Sequence, residues 1–260
     1  MQKMTNDIVV AGMHRTGHHP IAIWLLHQQP HIHEFAIQTI APWLFQVEGE
    51  DGISILANNP LKRGRGEHPD KKKFDSVMLE KAPHRIILTH EQETISNVAK
   101  VCASSRAVWR NNNKPTMVIV LRDFKNWVAS CIKMAERDGK PVEEIINKDK
   151  IKIYKDHFRY IYKDLQGIHY ILYNQWVKSS DYRREVCELL GLTFTDAAID
   201  QLSIFGGGSS FDGMKYIKTA CNMDTSRRYK EMEDNPYYKV ILQQHSNVLS
   251  LSNEVFGKYI

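Results

Sequence analysis

The sequence predicts an α/β fold in which a central, mostly parallel β-sheet is covered by helices on both faces. Three compact apolar runs of strand length alternate with longer segments that are compatible with helices; the runs are RIILTH (85–90), PTMVIVLRD (115–123) and GIHYILYN (167–174). Buried strands that alternate with helices are typical of parallel sheets. The chain has 260 residues, 42% of them hydrophobic, with no internal repeat and no marked linker. We therefore expect a single domain over residues 1–260.

A turn that contains two spaced glycines lies between the first predicted strand and the first predicted helix. A β-branched run, IVV at 8–10, leads to Gly12, then to Gly17 and an apolar stretch with helical spacing. This pattern predicts a P-loop-like phosphate-binding loop. In nucleoside triphosphatases a lysine and then a serine or threonine follow the second glycine, to reach the β/γ-phosphates and to bind Mg²⁺. Here His18 and His19 stand at those positions.

Polar or flexible residues follow each predicted strand. In chain order they are the loop 12–19, Thr89-His90, Arg122-Asp123 and Tyr173-Asn174. Ligands of open α/β sheets collect at the carboxyl ends of the strands, so these residues are predicted to converge on one site. A structural role stays open for each: an ion pair within Arg122-Asp123, a helix cap for His90 and a core position for Tyr173.

Composition narrows the class of protein. The formal net charge of +5 and the pI of about 8.9 suit an anionic ligand as well as a nucleic acid. The basic segment 61–74 is either a solvated surface loop or a rim that attracts an acidic acceptor. The sequence lacks the run of about 18 apolar residues that a membrane helix needs. The N-terminus lacks the pattern of a signal peptide, so a cytoplasmic protein is expected.

Metal chemistry is not expected from the sequence. The four cysteines are scattered without a CxxC pair, which favours reduced thiols over a zinc site. His27, His31 and His33 are spaced suggestively for a metal, but they straddle Pro30 and are predicted to lie in a solvent-exposed turn.

The segment HRTGHH (14–19) resembles the donor loop of the cytosolic sulfotransferases, in which a basic residue, a serine or threonine, a glycine and two threonines precede an apolar helix. The donor of that family, 3′-phosphoadenosine 5′-phosphosulfate (PAPS), has no γ-phosphate, and the transfer needs no magnesium. The resemblance implies that the 5′-phosphosulfate is surrounded by Arg15, Thr16, Gly17, His18 and His19. The two histidines replace hydroxyl residues, and they either supply the missing hydrogen-bond donors or are tolerated substitutions.

Two further segments are similar to donor motifs of the same family. RDFKNWVAS (122–130) resembles the motif that holds the 3′-phosphate, which implies this role for Arg122 and Ser130. Arginine offers a planar fork of donors to phosphate oxygens, and a serine near the start of the next helix can add its hydroxyl. SSFDGMK (209–215) resembles the segment that contacts adenine, which implies that role for Ser209 and Phe211.

The match continues towards the C-terminus with one departure. SRRYKEM (226–232) resembles the late basic motif that returns to the 3′-phosphate, with Arg227 and Arg228 at its basic positions. Tyr229 stands where the family usually has glycine, which leaves the backbone contact there in question.

Two predicted strands also resemble family elements. RIILTH resembles the strand that carries the catalytic histidine, so the resemblance implies His90 as the general base. A lysine commonly precedes that histidine by two residues, and this chain has Leu88 instead. ILYNQW resembles the strand with an adenine-contacting tyrosine, which implies that role for Tyr173.

The resemblance therefore implies a PAPS-dependent sulfotransferase. His90 would take a proton from an acceptor hydroxyl or amine, while Arg15 and His18 stabilise charge at the transferring group and adenosine 3′,5′-bisphosphate departs. Glu91 or Glu93 is the alternative base. The acceptor, a small molecule, glycan or lipid, would contact APWLF (41–45) and the basic segment; no metal and no nucleic acid are implied. Two alternatives stay open, namely a P-loop small-molecule or nucleotide kinase and a catalytically inactive nucleotide-binding protein.

Overall fold

A computed structural model describes residues 7–29, 38–41, 44–49, 52–58, 76–78, 80, 85–104, 115–161, 168–202 and 208–257. The strands are β1 (Ile8–Gly12), β2 (Gln38–Ala41), β3 (Leu44–Gly49), β4 (Gly52–Asn58), β5 (Arg85–Glu91), β6 (Thr116–Leu121) and β7 (Ile168–Leu172).

The α-helices begin directly after β1. They are α1 (His18–Leu26), α2 (Ile95–Ser104), α3 (Phe124–Asp138), α4 (Val142–Ile145), α5 (Lys148–Arg159), α6 (Tyr173–Lys178), α7 (Ser180–Leu190), α8 (Pro236–Gln244) and α9 (Ser246–Phe256). Two short 3₁₀ turns, Ala220–Asn222 and Arg228–Met232, precede α8.

The seven strands form one sheet in the order β2-β3-β4-β5-β1-β6-β7. Strands β4, β5, β1, β6 and β7 run parallel, and β3 pairs antiparallel with both β2 and β4. In the register, Gly12 lies opposite Glu91 on one side and Val120 on the other. The loops that follow β1, β5, β6 and β7 therefore open at one edge, and β1 lies at the reversal of strand order where ligands of such sheets bind.

Apolar side chains alternate between the two faces of the sheet. Val9, Ala11 and Leu88 lie in one buried cluster with residues of α2, α3, α5, α8 and α9. Ile8 and Val10 lie in the other, with residues of α1, α6 and α7. Strands β1, β5 and β6 are almost wholly buried and so read as continuous apolar runs, whereas Tyr170 of the edge strand β7 is exposed.

The predicted fold class is confirmed, because a parallel central sheet carries helices on both faces. The sequence predicted no strand between residues 30 and 80, where the structure has the antiparallel strands β2 and β3 and the parallel strand β4. APWLF (41–45) spans the end of β2 and the start of β3, with residues 42 and 43 outside the described part. The extent of one domain over residues 1–260 stays a prediction.

One local prediction is wrong. His27 does not lie in a solvent-exposed turn, because it is fully buried and its Nδ1 lies 2.8 Å from the Ile23 carbonyl oxygen at the end of α1. His31, His33 and the basic segment 61–74 fall outside the described residues. Among the helices that the structure describes, none has the length and apolar character needed to cross a membrane.

Candidate functional site

A cavity of about 380 Å³ opens at the carboxyl ends of β1, β5, β6 and β7. This volume falls within the range of roughly 300–1,000 Å³ that is usual for small-molecule sites. Among the described residues that line it, four are arginines, Arg15, Arg122, Arg137 and Arg228, and two are carboxylates, Glu91 and Asp138. The excess of guanidinium groups makes the cavity suited to an anion.

The loop between β1 and α1 has an unusual backbone. Gly17 has φ of 89° and Arg15 has φ of 64°, so both lie in the left-handed region. A Cβ on Gly17 would lie 2.2 Å from ring carbons of Tyr173, which explains the need for glycine. The Thr16 hydroxyl donates to the Met13 carbonyl oxygen at 2.7 Å, so this side chain stabilises the turn.

Side chains from α3 and the end of β6 hold this loop in place. The Trp127 indole N–H donates to the His14 carbonyl oxygen at 2.8 Å, and Arg122 Nη1 donates to the Arg15 carbonyl oxygen at 2.9 Å. The loop is thus anchored before any ligand binds, and the N-terminal end of α1 faces the cavity with its positive dipole.

The Arg122 side chain forms hydrogen bonds with three separate segments of the chain. It is 3% exposed, and it donates to Ser130 Oγ at 2.9 Å and to the Thr225 carbonyl oxygen at 2.7 Å. Its guanidinium lies 5.2 Å from the centre of the Tyr173 ring. Burial lowers the pKa of Arg122 to about 10, which leaves the group charged at neutral pH. The sequence-predicted pair of Arg122 and Ser130 is therefore brought into contact, with Ser130 in the second turn of α3.

Asp123 has a separate role from its neighbour. Its carboxylate caps α3 by accepting from the Asn126 backbone N–H at 2.9 Å, and it also accepts from the side-chain amides of Asn126 and Asn174 at 2.9 Å each. Because the capping network occupies both carboxylate oxygens, no hydrogen bond joins Asp123 to Arg122 in the described part of the chain.

Arg15 spans the cavity from the loop towards the segment that begins at Gly208. Its Nη2 donates to the Gly208 carbonyl oxygen at 3.2 Å, whereas its buried Nε has no hydrogen-bond partner among the described residues. Burial lowers the pKa of Arg15, with nearby Arg137 and Arg228 adding to the shift. An anion in the cavity would accept a hydrogen bond from Arg15 Nε and would reduce the repulsion between the three guanidinium groups.

His18 and His19 begin α1 and face Glu91, the last residue of β5. His18 Nε2 lies 3.6 Å from Glu91 Oε1, and the two histidine rings are 4.0 Å apart at their centres. Burial lowers the pKa of His18 to about 3, and the nearby His14 adds to that shift. At neutral pH the ring is therefore neutral, so the contact with Glu91 is not an ion pair.

His90 lies apart from the other predicted site residues. By strand alternation its side chain is on the face of Ile86 and Leu88, whereas Glu91 is on the face of α1. His90 is 4% exposed, its Nε2 has no hydrogen-bond partner in the described part of the chain, and it is absent from the described lining of the cavity. Burial lowers its pKa to about 4. Its role as base stays a prediction.

The residues predicted to contact adenine are divided by the structure. Tyr173 begins α6 and lines the cavity together with Ser209. The Ser209 hydroxyl accepts from the backbone N–H groups of Phe211 and Asp212, at 3.2 and 3.0 Å, and so shapes a tight turn. Phe211 packs under the Arg228 guanidinium, 5.1 Å from its ring centre, and it is not among the described lining residues.

The two predicted arginines of the late basic motif point in different directions. Arg228 lines the cavity and forms an ion pair of 2.7 Å with Asp212. The Arg227 side chain is 65% exposed, pairs with Asp224 at 2.6 Å and lies outside the described lining. The Tyr229 backbone N–H donates to Asn126 Oδ1 at 3.1 Å, so it is committed within the protein. A phosphate contact by Arg227 stays a prediction without geometric support.

Several lining residues were not singled out from the sequence. They include Trp176, Met223 and Thr225, and Thr225 reaches Arg122 across 103 positions of the chain. No local motif marks them. A helical spacing of three residues from Tyr173 to Trp176 is the one signal that sequence reasoning could have used, since it places both rings on one side of α6, stacked 6.0 Å apart.

Comparison with known proteins gives a limited result. No family model and no curated protein matches the chain. Among solved structures, the chain is similar to the sulfotransferase domain from the Synechococcus PCC 7002 olefin synthase, with 11% identity, a TM-score of 0.42 and coverage of 97% of this chain and 88% of that one. A likeness of this size identifies neither the family of this chain nor its ligand.

Proposed function

We propose that this protein is a sulfotransferase that binds PAPS in the cavity and transfers its sulfuryl group to a hydroxyl or amine of an acceptor. The observation that carries the proposal is the buried guanidinium of Arg122, which joins Ser130, the Arg15 carbonyl of the loop and Thr225 at the rim of a cavity rich in arginine. The motif resemblance assigns Arg122 and Ser130 to the 3′-phosphate of the donor and Arg15 to its 5′-phosphosulfate.

The residues present fit such a donor. The N-terminal end of α1, Arg15 and His18 would hold the 5′-phosphosulfate, and Arg122 with Arg228 would hold the 3′-phosphate. Tyr173 and Ser209 line the same cavity, and both would contact the adenine, as the motif resemblance implies. When bound, PAPS would supply the sulfuryl group and leave as adenosine 3′,5′-bisphosphate.

The same site is a poor fit for a nucleoside triphosphate. His18 and His19 follow Gly17, so neither the ammonium that reaches the β/γ-phosphates nor the hydroxyl that binds Mg²⁺ is present there. A buried arginine beside Ser130 instead favours a second, separate phosphate, because guanidinium binds phosphate oxygens through paired donors.

His90→Ala should retain binding of adenosine 3′,5′-bisphosphate but reduce sulfuryl transfer by about 10²–10⁴-fold, because a general base acts on the acceptor alone. Binding is measured by calorimetry and transfer by release of the bisphosphate from PAPS, with a phenol, a sugar and a lipid alcohol as trial acceptors. Glu91→Ala and Glu93→Ala are the matched comparisons. If His90→Ala turns over normally while either glutamate variant is inactive, the base is a glutamate.

A further inference from the structure

A cluster of three cavity residues has the donor set of a cation site, a role that the proposed transfer does not use. His18, His19 and Glu91 each offer a ligand atom, and these atoms lie within 4.8 Å of one another. All three residues line the cavity. The cluster unites two consecutive residues of α1 with the end of β5, so the fold of the parallel sheet brings the three side chains together.

His18 is the observation that points to a ligand. It is 2% exposed, the Met13 backbone lies near its ring, and its Nε2 has no hydrogen-bond partner among the described residues. Buried polar atoms of native proteins are nearly always satisfied, and an exception calls for a bound water or ion. His18 Nε2 lies 3.6 Å from Glu91 Oε1, a separation at which an imidazole nitrogen and a carboxylate oxygen can bind one cation together.

The separation of His18 and Glu91 agrees with a zinc-type coordination sphere, and the ligand atom of His19 lies within 4.8 Å of both. Zinc binds histidine nitrogen at about 2.0–2.1 Å and carboxylate oxygen at about 2.0–2.2 Å, so two ligands of a tetrahedral ion lie roughly 3.3–3.5 Å apart. The separation of 3.6 Å between His18 Nε2 and Glu91 Oε1 is close to that edge. Side-chain rotation of His19 and Glu91, both partly exposed, can close the remaining distance.

We propose that His18, His19 and Glu91 form a site for a divalent transition-metal ion, with zinc as the best fit, in which three protein ligands leave one position open towards the cavity. Two imidazoles and one carboxylate with an open position match the donor set of catalytic rather than structural zinc sites. The site goes beyond the proposed function, which uses no metal and in which His18 contacts the donor directly, and it does not depend on that function being correct.

The charges around the cluster predict how the ion behaves. Glu91 offsets one positive charge of the ion, while Arg15 and the other arginines of the cavity oppose it. An anion that binds these arginines therefore lowers the electrostatic free-energy cost of binding the metal ion. Because such coupling is reciprocal, zinc should bind more tightly with an anion present, and the anion more tightly with zinc present.

The test uses the full chain after treatment with a chelator and dialysis. Zinc content is measured by elemental analysis and zinc affinity by calorimetry, with and without inorganic sulfate; Co²⁺ serves as a second probe through its visible absorption bands. We expect one zinc per chain, and tighter binding with sulfate. Loss of a residue that hydrogen-bonds a zinc ligand lowers zinc affinity roughly 10–100-fold. Loss of a ligand itself should lower the affinity by more than this, so we expect such a loss in His18→Ala, His19→Ala and Glu91→Gln.

His14→Ala is the matched control, because His14 lines the same cavity but is not part of the cluster, and it should retain one zinc per chain. Circular dichroism of each variant reports folding. If His18→Ala fails to fold, His19→Ala and Glu91→Gln, at less buried positions, decide the matter. The proposal is overturned if the protein takes up less than one zinc per chain at zinc excess, or if the three variants bind zinc as tightly as the His14→Ala control.

Discussion

Gly17→Ala is expected to destabilise the protein and to abolish binding of adenosine 3′,5′-bisphosphate. A left-handed conformation costs a residue with a Cβ about 1–2 kcal/mol. The new Cβ would also lie 2.2 Å from the Tyr173 ring. That ring is held between Arg122 and Trp176, so relief of the clash must displace the loop or α6, at a further cost of about 1–3 kcal/mol. Thermal unfolding and calorimetry with the bisphosphate measure the two effects.

Gly139→Ala is the matched control. Gly139 ends α3 with φ of 62°, yet no described atom lies within 4 Å of a Cβ built there. It should therefore show the conformational cost alone, about 1–2 kcal/mol, and keep ligand binding. Equal losses of stability in the two variants would mean that the Tyr173 ring does not constrain the loop.

Arg122→Ala is expected to weaken bisphosphate binding by about 1.5–3 kcal/mol, the range of a lost hydrogen bond to a charged group. The variant should also lose stability, because the carbonyl oxygens of Arg15 and Thr225 would each lose a buried donor. Each unsatisfied group costs about 1–3 kcal/mol. The buried contacts therefore predict a loss of both binding and stability.

Two variants separate these effects of Arg122. Arg122→Lys keeps the charge but not the planar fork, so it should recover part of the stability and little of the affinity. Arg159→Ala removes an exposed positive charge at the end of α5 and should change neither quantity. A stability loss in Arg122→Ala with unaltered bisphosphate affinity would assign Arg122 a structural role only.

Strands β1, β5 and β6 could be predicted because each is almost wholly buried and so reads as an unbroken apolar run. The apolar run of β7 was also recognised, although its first three residues are partly or fully exposed. The parallel strand β4 was not predicted. Strands β2 and β3 could not be predicted, because QTIA and LFQVEG mix polar and apolar residues over four and six positions, which gives a weak signal. The position of β1 at the strand reversal depends on pairings between distant parts of the chain, which a local pattern does not encode.

In the candidate site, too, local contacts could be predicted from the sequence, whereas contacts between distant segments could not. The spacing of eight residues between Arg122 and Ser130 crosses a strand end and a helical turn, and this local geometry brings them within 2.9 Å of each other. Arg227 and Arg228 are neighbours in sequence, but the 3₁₀ turn directs one to solvent and the other to the cavity. The link between Arg122 and Thr225 depends on tertiary contacts and had no signal in the sequence.

The most direct test of the proposed function compares adenosine 3′,5′-bisphosphate with ATP and Mg²⁺ by calorimetry on the unmodified protein. Arg122 and Ser130 are proposed to hold a 3′-phosphate, which ATP lacks, and the residues after Gly17 cannot supply the lysine and hydroxyl that Mg²⁺·ATP requires. The account predicts that the bisphosphate binds at least about tenfold more tightly, a difference of about 1.4 kcal/mol. Equal affinity for the two nucleotides, or tighter binding of Mg²⁺·ATP, would contradict it.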